Sequence, residues 1–182
     1  KMGGRNPGGL TVLMRIADIE SSFPNILLAI AIMAFWGQGL WKVIMVLAIS
    51  GWVSEARTVR GAVLSVKQET YVLASKSVGA THLRILIRHI LPNVLAPVLV
   101  FASFRLATVI LAEATLSFLG MGVQPPTATW GSMLSRSREY LVVAPHLVMA
   151  PGLCLMFVAL GANQLGDGLR DLLDPRLRGS IK

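Results

Sequence analysis

Few side chains in this sequence are of types, and at spacings, that could do chemistry. His82 and His89 stand seven residues apart and so share one helical face. A metal pair would need a third ligand at close range, and none is apparent, so both read as solvated histidines at an interface. His146 stands alone and reads as structural, with a metal or solute contact as the alternative. The single Cys154 lies in the apolar run 153–160. It has no disulfide partner and no CxxC spacing, and reads as a buried, inert thiol. No GxxxxGK[ST] phosphate loop, HExxH or GxSxG occurs.

The remaining candidates are charges in unusual places. Glu113 sits inside an apolar run, where a charge costs about 2.5–3.5 kcal/mol on insertion scales. It reads as facing a water-filled path or a partner helix, or as lying close enough to the outer end of its helix for water to relieve that cost. Arg105 precedes it by eight residues, about 80° around a helix, so spacing alone does not pair them. Arg105 is a local feature that could face the same path. Asp167, Arg170, Asp171 and Asp174 have the spacing of an ion-pair cluster, or of a solvated tail.

The elements that must position these residues follow from composition. Of 182 residues, 54% are hydrophobic and 14% charged, and the mean hydropathy is +0.65. That is too apolar for an ordinary soluble domain and excludes disorder. About 20 apolar residues cross a hydrocarbon core, and four runs are long enough to consider. They predict an all-α, polytopic helical membrane protein with spans at about 10–36, 41–56, 93–119 and 142–165. Gly37-Gln38-Gly39, flanked by Trp36 and Trp41-Lys42, marks a tight turn between the first two. Leu10, Leu13, Met14 and Ala17 lie at helical spacing, Arg15 and Asp18 are i, i+3 neighbours, and Pro24 predicts a kink. Gly152, Gly161 and Gly166, with Ala159 and Ala162, predict close helix packing in the fourth span.

Charge orients the spans. With both ends and the central loop on one side, that side carries 13 cations (three before residue 23, six in 57–92, four in the tail 167–182) against three outside, Lys42, Arg136 and Arg138. The positive-inside rule makes that side cytoplasmic. The formal +8 is therefore loop charge, and nucleic-acid binding is excluded for want of a basic stripe interleaved with stacking aromatics. The opening residues lack the apolar region of a signal peptide, and a chain opening on Lys1 reads as a fragment.

The central loop, 57–92, is long for such a protein and has helical pattern of its own. Residues 71–78 predict a short helix, Gly79 a left-handed stop, and Thr81 the cap of a second helix from His82. On that second helix Leu83, Leu86, Ile87, Ile90 and Leu91 form one apolar arc, which predicts a helix lying along the inner membrane face, with Pro92 starting the next span. Small residues on the first helix predict a docking surface for another protein.

The stretch Tyr71-Val72-Leu73-Ala74-Ser75-Lys76-Ser77-Val78-Gly79, with Pro92 thirteen residues after Gly79, resembles the cytoplasmic signature loop of bacterial ABC importer permeases. Leu13-Met14-Arg15-Ile16-Ala17-Asp18, the run Glu113-Ala114-Thr115-Leu116-Ser117-Phe118-Leu119-Gly120, and Gly166-Asp167-Gly168-Leu169-Arg170-Asp171 extend the resemblance along the chain. They narrow it to the dipeptide, oligopeptide and nickel permeases, C-type subunit. The resemblance implies an ABC importer type I transmembrane domain in the bacterial inner membrane, with two further helices upstream. It implies a coupling helix docking on a separate ATPase through Glu69, Tyr71, Leu73, Ala74, Ser75, Gly79, Ala80 and Arg84. It also implies a paralogous permease partner, two ATP-binding subunits that use ATP and Mg, and an extracytoplasmic substrate-binding protein, with no cofactor or metal held by this chain and cargo that is a peptide or a related solute such as nickel. Where the family carries Glu-Ala-Ala, this chain has Leu73-Ala74-Ser75. The missing Glu leaves shape to do the docking, with Glu69, one turn earlier, as the substitute carboxylate. The tail charges would then hold the tail under the bundle. An ion-gradient-driven transporter or channel is the alternative; no internal repeat with polar midplane breaks supports it.

Overall fold

The computed structural model describes residues 8–173. Asp174 and the tail cations beyond it lie outside the described residues. In chain order the elements are α1 (Gly8–Glu20), α2 (Asn25–Trp36), α3 (Leu40–Lys67), α4 (Thr70–Ser77), α5 (His82–Ile85), a π-turn (Leu86–Ile90), α6 (Leu91–Phe118), α7 (Trp130–Ser137), a 3-10 turn (Arg138–Tyr140) and α8 (His146–Leu173). Among the described residues there is no strand.

The expected first span is two helices. α1 and α2 meet at 87°. Ser21 and Ser22 donate their hydroxyls to the carbonyls of Ala17 and Asp18, at 2.8 and 3.1 Å, and so terminate α1 from within. Pro24 then disfavours a helical Phe23 and supplies no N–H to a continuing ladder. Asp18 does not pair with Arg15, as the spacing suggested, but with Arg57 of α3 at 2.9 Å. Trp52 Nε1 donates to Glu20 at 2.7 Å, a second tie between α1 and α3.

The turn between α2 and α3 forms where expected. Gly37 and Gly39 have φ of +80° and +141°, a region that side chains other than glycine rarely adopt. α3 does not stop at 56, however, but continues to Lys67. Nothing from 57 to 67 breaks a helix except an isolated Gly61, and Ala62, Val63 and Val66 pack against a small core under α4. The first eleven residues assigned to the loop are therefore helix.

The loop also closes early at its other end. From His82 to Phe118 the backbone is one helix of 37 residues. Pro92 would clash with the carbonyl of Arg88 in a regular α-helix, and the wider π-turn lies at that place, with Leu91 N–H donating to Leu86 O. Closing over five residues brings Ile85 and Ile90 to one side. They are buried with Val94, while Leu83, Leu86, Ile87 and Leu91 of the expected apolar arc are exposed. The separate helix along the membrane face is thus replaced by the root of a long spanning helix with a rotated packing face.

By length and composition, His82–Phe118 and His146–Leu173 can each cross a membrane, and Thr11–Glu20 with Asn25–Trp36 qualifies as a bent pair. α3 carries Lys42, Glu55 and Arg57 and is not apolar enough to qualify beside them. In the two long helices only 17% of the most apolar stretch is buried within the chain. The rest must meet lipid or partner helices, as in a membrane protein. Cys154 is on such a face, exposed rather than buried.

The main core joins Ala29 and Met33 of α2, Val43 and Val46 of α3, Leu116 of α6 and Val123. α8 lies along α6, with Gly166 against the Phe104 ring at 3.0–3.1 Å for an added Cβ. Ala162 is buried beside it, whereas Gly152 and Gly161 face open space. The expected tail from 167 begins as the end of α8. The connection between α6 and α8 contains α7, started by a capping box in which Thr129 and Ser132 satisfy each other's backbone N–H at 3.1 Å.

Candidate functional site

The eight-residue helix α4 is built from its ends inward. Glu69 has extended geometry and its carbonyl accepts from Val72 N–H at 3.0 Å and Leu73 N–H at 3.1 Å, which starts α4. Its side chain makes no capping bond and is exposed. At the other end Gly79, φ +83°, allows a double closure: Ala80 N–H donates to Ser75 O and Gly79 N–H to Lys76 O, both at 3.1 Å. Thr81 Oγ1 then accepts from Arg84 N–H at 3.4 Å and caps the next helix. Stop and restart both fall where the residue types place them.

Val72 holds α4 down, 3% exposed among Ile85, Ile90 and Val94. The outward side presents Tyr71, Leu73 at 52% exposure and Ala74, and Val78 beyond it is 89% exposed. Ala74, Ser75, Val78, Gly79, Arg84 and His89 border an open groove of about 530 Å³. An exposed apolar knob with small neighbours and an arginine rim suits a partner surface that is apolar at its centre and acidic at its edge. Of the expected docking residues, Glu69, Tyr71, Leu73, Ala74, Gly79 and Arg84 lie on the exposed surface, and Ser75 and Ala80 are half-buried.

His89 is the residue that sequence reading missed. Instead of being solvated, it is half-buried against α4. Its Nε2 lies 3.2 Å from Ser75 Oγ, a hydrogen bond whose donor is set by the imidazole tautomer, and its ring centroid is 6.0 Å from that of Tyr71. His82 is exposed and takes no part.

The second feature is a groove of about 700 Å³ between α3 and α6, lined also by Trp130 of α7. Its walls are apolar, among them Val43, Leu47, Val109 and Ile110, and it holds Glu55, Arg105 and Glu113. Arg105 Nε donates to Glu55 Oε1 at 3.0 Å, and the guanidinium lies so close over Gly51 that a Cβ there would overlap it. Arg105 and Glu113 share the groove without pairing. Glu113 instead accepts from Ser117 Oγ at 2.6 Å, and Ser117 in turn accepts from Val123 N–H at 3.2 Å. The carboxylate thus helps shape the turn after α6 while also lining the groove. Gln38 donates to Gly120 O at 2.7 Å, which places the α2–α3 turn at the same end of the bundle as this turn.

Asp167, Arg170 and Asp171 are exposed on the last turns of α8 and form no ion pair among the described residues; Asp174 lies outside them. No three potential metal ligands come together among the described residues.

A helical membrane domain that carries a short exposed helix on a bracket between two long helices, and separately a charged groove in its apolar flank, is the class this geometry defines. Residues 3–179 match the family of the binding-protein-dependent transport system inner membrane component, and the chain belongs to that family. It is 46% identical over 168 residues to the glutathione transport system permease protein GsiD of Shigella flexneri serotype 5b, with 92% of this chain and 55% of the relative covered. The protein of the same name from Escherichia coli O1:K1 is 47% identical over 166 residues, covering 91% of this chain and 55% of that one. The chain thus spans about half the length of the curated relatives it matches.

Proposed function

We infer that the chain is the core of a non-catalytic permease subunit in an ATP-driven importer of the bacterial inner membrane, moving a peptide or a related small solute. A small peptide such as the glutathione of its relatives' names fits this reading, with nickel as the other solute class. It forms half of the membrane path, and a paralogous permease forms the other half. Two ATP-binding subunits hydrolyse ATP with Mg, and a binding protein delivers cargo from outside. Both ends and α4 face the cytoplasm, in keeping with their share of the cations. The observation that carries the reading is α4, a helix of eight residues held by one buried side chain with its apolar surface outward. It is the coupling helix, through which nucleotide-driven closure of the ATPase reaches the membrane half. The groove holding Glu55, Arg105 and Glu113 faces the path, since paired and unpaired charges in an apolar flank need water or a polar partner.

The test is reconstitution of the full permease with its partner subunits in proteoliposomes. Ala74→Trp puts a bulky ring on the exposed face of α4 without touching its buried side, and is expected to abolish co-purification of the ATPase and ATP-driven uptake. Glu69→Gln is expected to lower coupled ATPase activity several-fold if Glu69 supplies the ionic contact. Uptake that persists without ATP while the membrane potential is held would support the ion-gradient alternative and sink this one.

A further inference from the structure

An isolated helix of eight residues is not stable in water, and α4 is flanked by turns on both sides. Val72 is its one buried side chain. A helix seated on one apolar knob can rock about it, and a rocking element transmits little force. A second point of attachment, off the axis of Val72, would fix its orientation.

We propose that Ser75 and His89 form a latch that fixes α4 to the root of the α5–α6 helix, so that the two move as one body. Tyr71 and Ser75 lie four residues apart and so on one face of α4. Both meet His89, Tyr71 by ring contact at 6.0 Å and Ser75 by hydrogen bond at 3.2 Å. His89 belongs to the π-turn, where the wide backbone turns Ile85 and Ile90 together onto Val72. The position next to Ile90 thereby comes against α4, and His89 occupies it. The same π-turn that lets the long helix pass Pro92 presents the imidazole to the docking helix. Ser75 is a positioning residue: it contacts His89 from the half-buried side of α4 and leaves Leu73 and Ala74 exposed. The latch rests on the coupling-helix reading for its purpose, but the joint itself is a property of this chain alone.

Hydrogen exchange of the α4 amides in the full permease reads the joint directly and needs neither cargo nor partner. Loss of one hydrogen bond is worth about fivefold in a local opening equilibrium. Ser75→Ala, which does not weaken a helix intrinsically, and His89→Phe, which keeps a ring against Tyr71, are each expected to lower protection of α4 by about that factor. The double variant is expected to be no less protected than the worse single one, and Ser75→Thr to keep protection. In proteoliposomes with glutathione as the transported probe, Ser75→Ala is expected to reduce uptake per ATP hydrolysed. Unchanged exchange in Ser75→Ala, or additive effects in the double variant, overturns the latch. Ala74→Trp separately decides whether α4 docks the ATPase, so failure of one idea leaves the other standing.

Discussion

Gly131→Val is expected to disrupt the end of the bundle that holds α7, with a loss of roughly 3 kcal/mol or more, as severe overpacking produces. Gly131 is buried in the first turn of α7, and an added Cβ would meet the backbone of Ala114, overlapping its carbonyl oxygen and standing 2.8 Å from its carbonyl carbon and Cα. Ala114 lies inside α6, where the backbone is fixed by its own ladder and by Leu116 beneath it, 0% exposed. No flexible side chain is present to give way. The strain must therefore displace α7, whose Trp130 lines the groove between α3 and α6. Gly161→Ala is the control, because nothing lies within 4 Å of an added Cβ there; its effect is expected to stay within about 0.5 kcal/mol. Thermal unfolding in one detergent, with both variants run beside the parent protein, checks the pair. Similar melting temperatures for the two would show that the approach of α7 to α6 is not a constraint.

What is legible in the sequence is what depends on nearby residues. The Gly37-Gln38-Gly39 turn, the start and stop of α4 and the Thr81 cap are local chemistry, and each forms where the residue types require. The helical phase after His82 is not legible in this way, because a regular 100° step fails across residues 86–90, where the backbone takes a π-turn around Pro92. One wide turn moves the packing face from Leu83 and Ile87 to Ile85 and Ile90. The end of α3 is masked by its cationic residues, which read as loop, although Ala62, Val63 and Val66 among them supply the apolar seat under α4. Long-range partners are not legible at all. Glu55 and Arg105 are fifty residues apart, and no local pattern pairs them. The substitution of Leu73-Ala74-Ser75 for the resembled Glu-Ala-Ala is visible as a lost carboxylate, but the hydroxyl gained at Ser75 becomes meaningful only with His89 beside it.

The Glu55–Arg105 pair separates structural from functional charge. The two side chains are 43% and 21% exposed, between the exposed limit, worth about 0–1 kcal/mol, and the buried limit, where breaking a pair costs about 3–5 kcal/mol. Arg105→Met alone is accordingly expected to destabilise by about 2 kcal/mol, because the Glu55 carboxylate stays in an apolar groove without its donor. Its Oε2 already has no hydrogen-bond partner. Glu55→Leu alone strands the guanidinium over Gly51 and is expected to cost a similar amount. The double variant removes both desolvated charges and is expected to return to within about 0.5 kcal/mol of the parent, since a partly buried ion pair contributes little net stability over apolar side chains of similar size. Uptake should follow a different course. If the groove is part of the path, as proposed, the two substitutions together make its wall wholly apolar save Glu113, and uptake is expected to remain at least about tenfold down although the fold has recovered. A double variant that regains both melting temperature and uptake would assign the pair to holding α3 against α6.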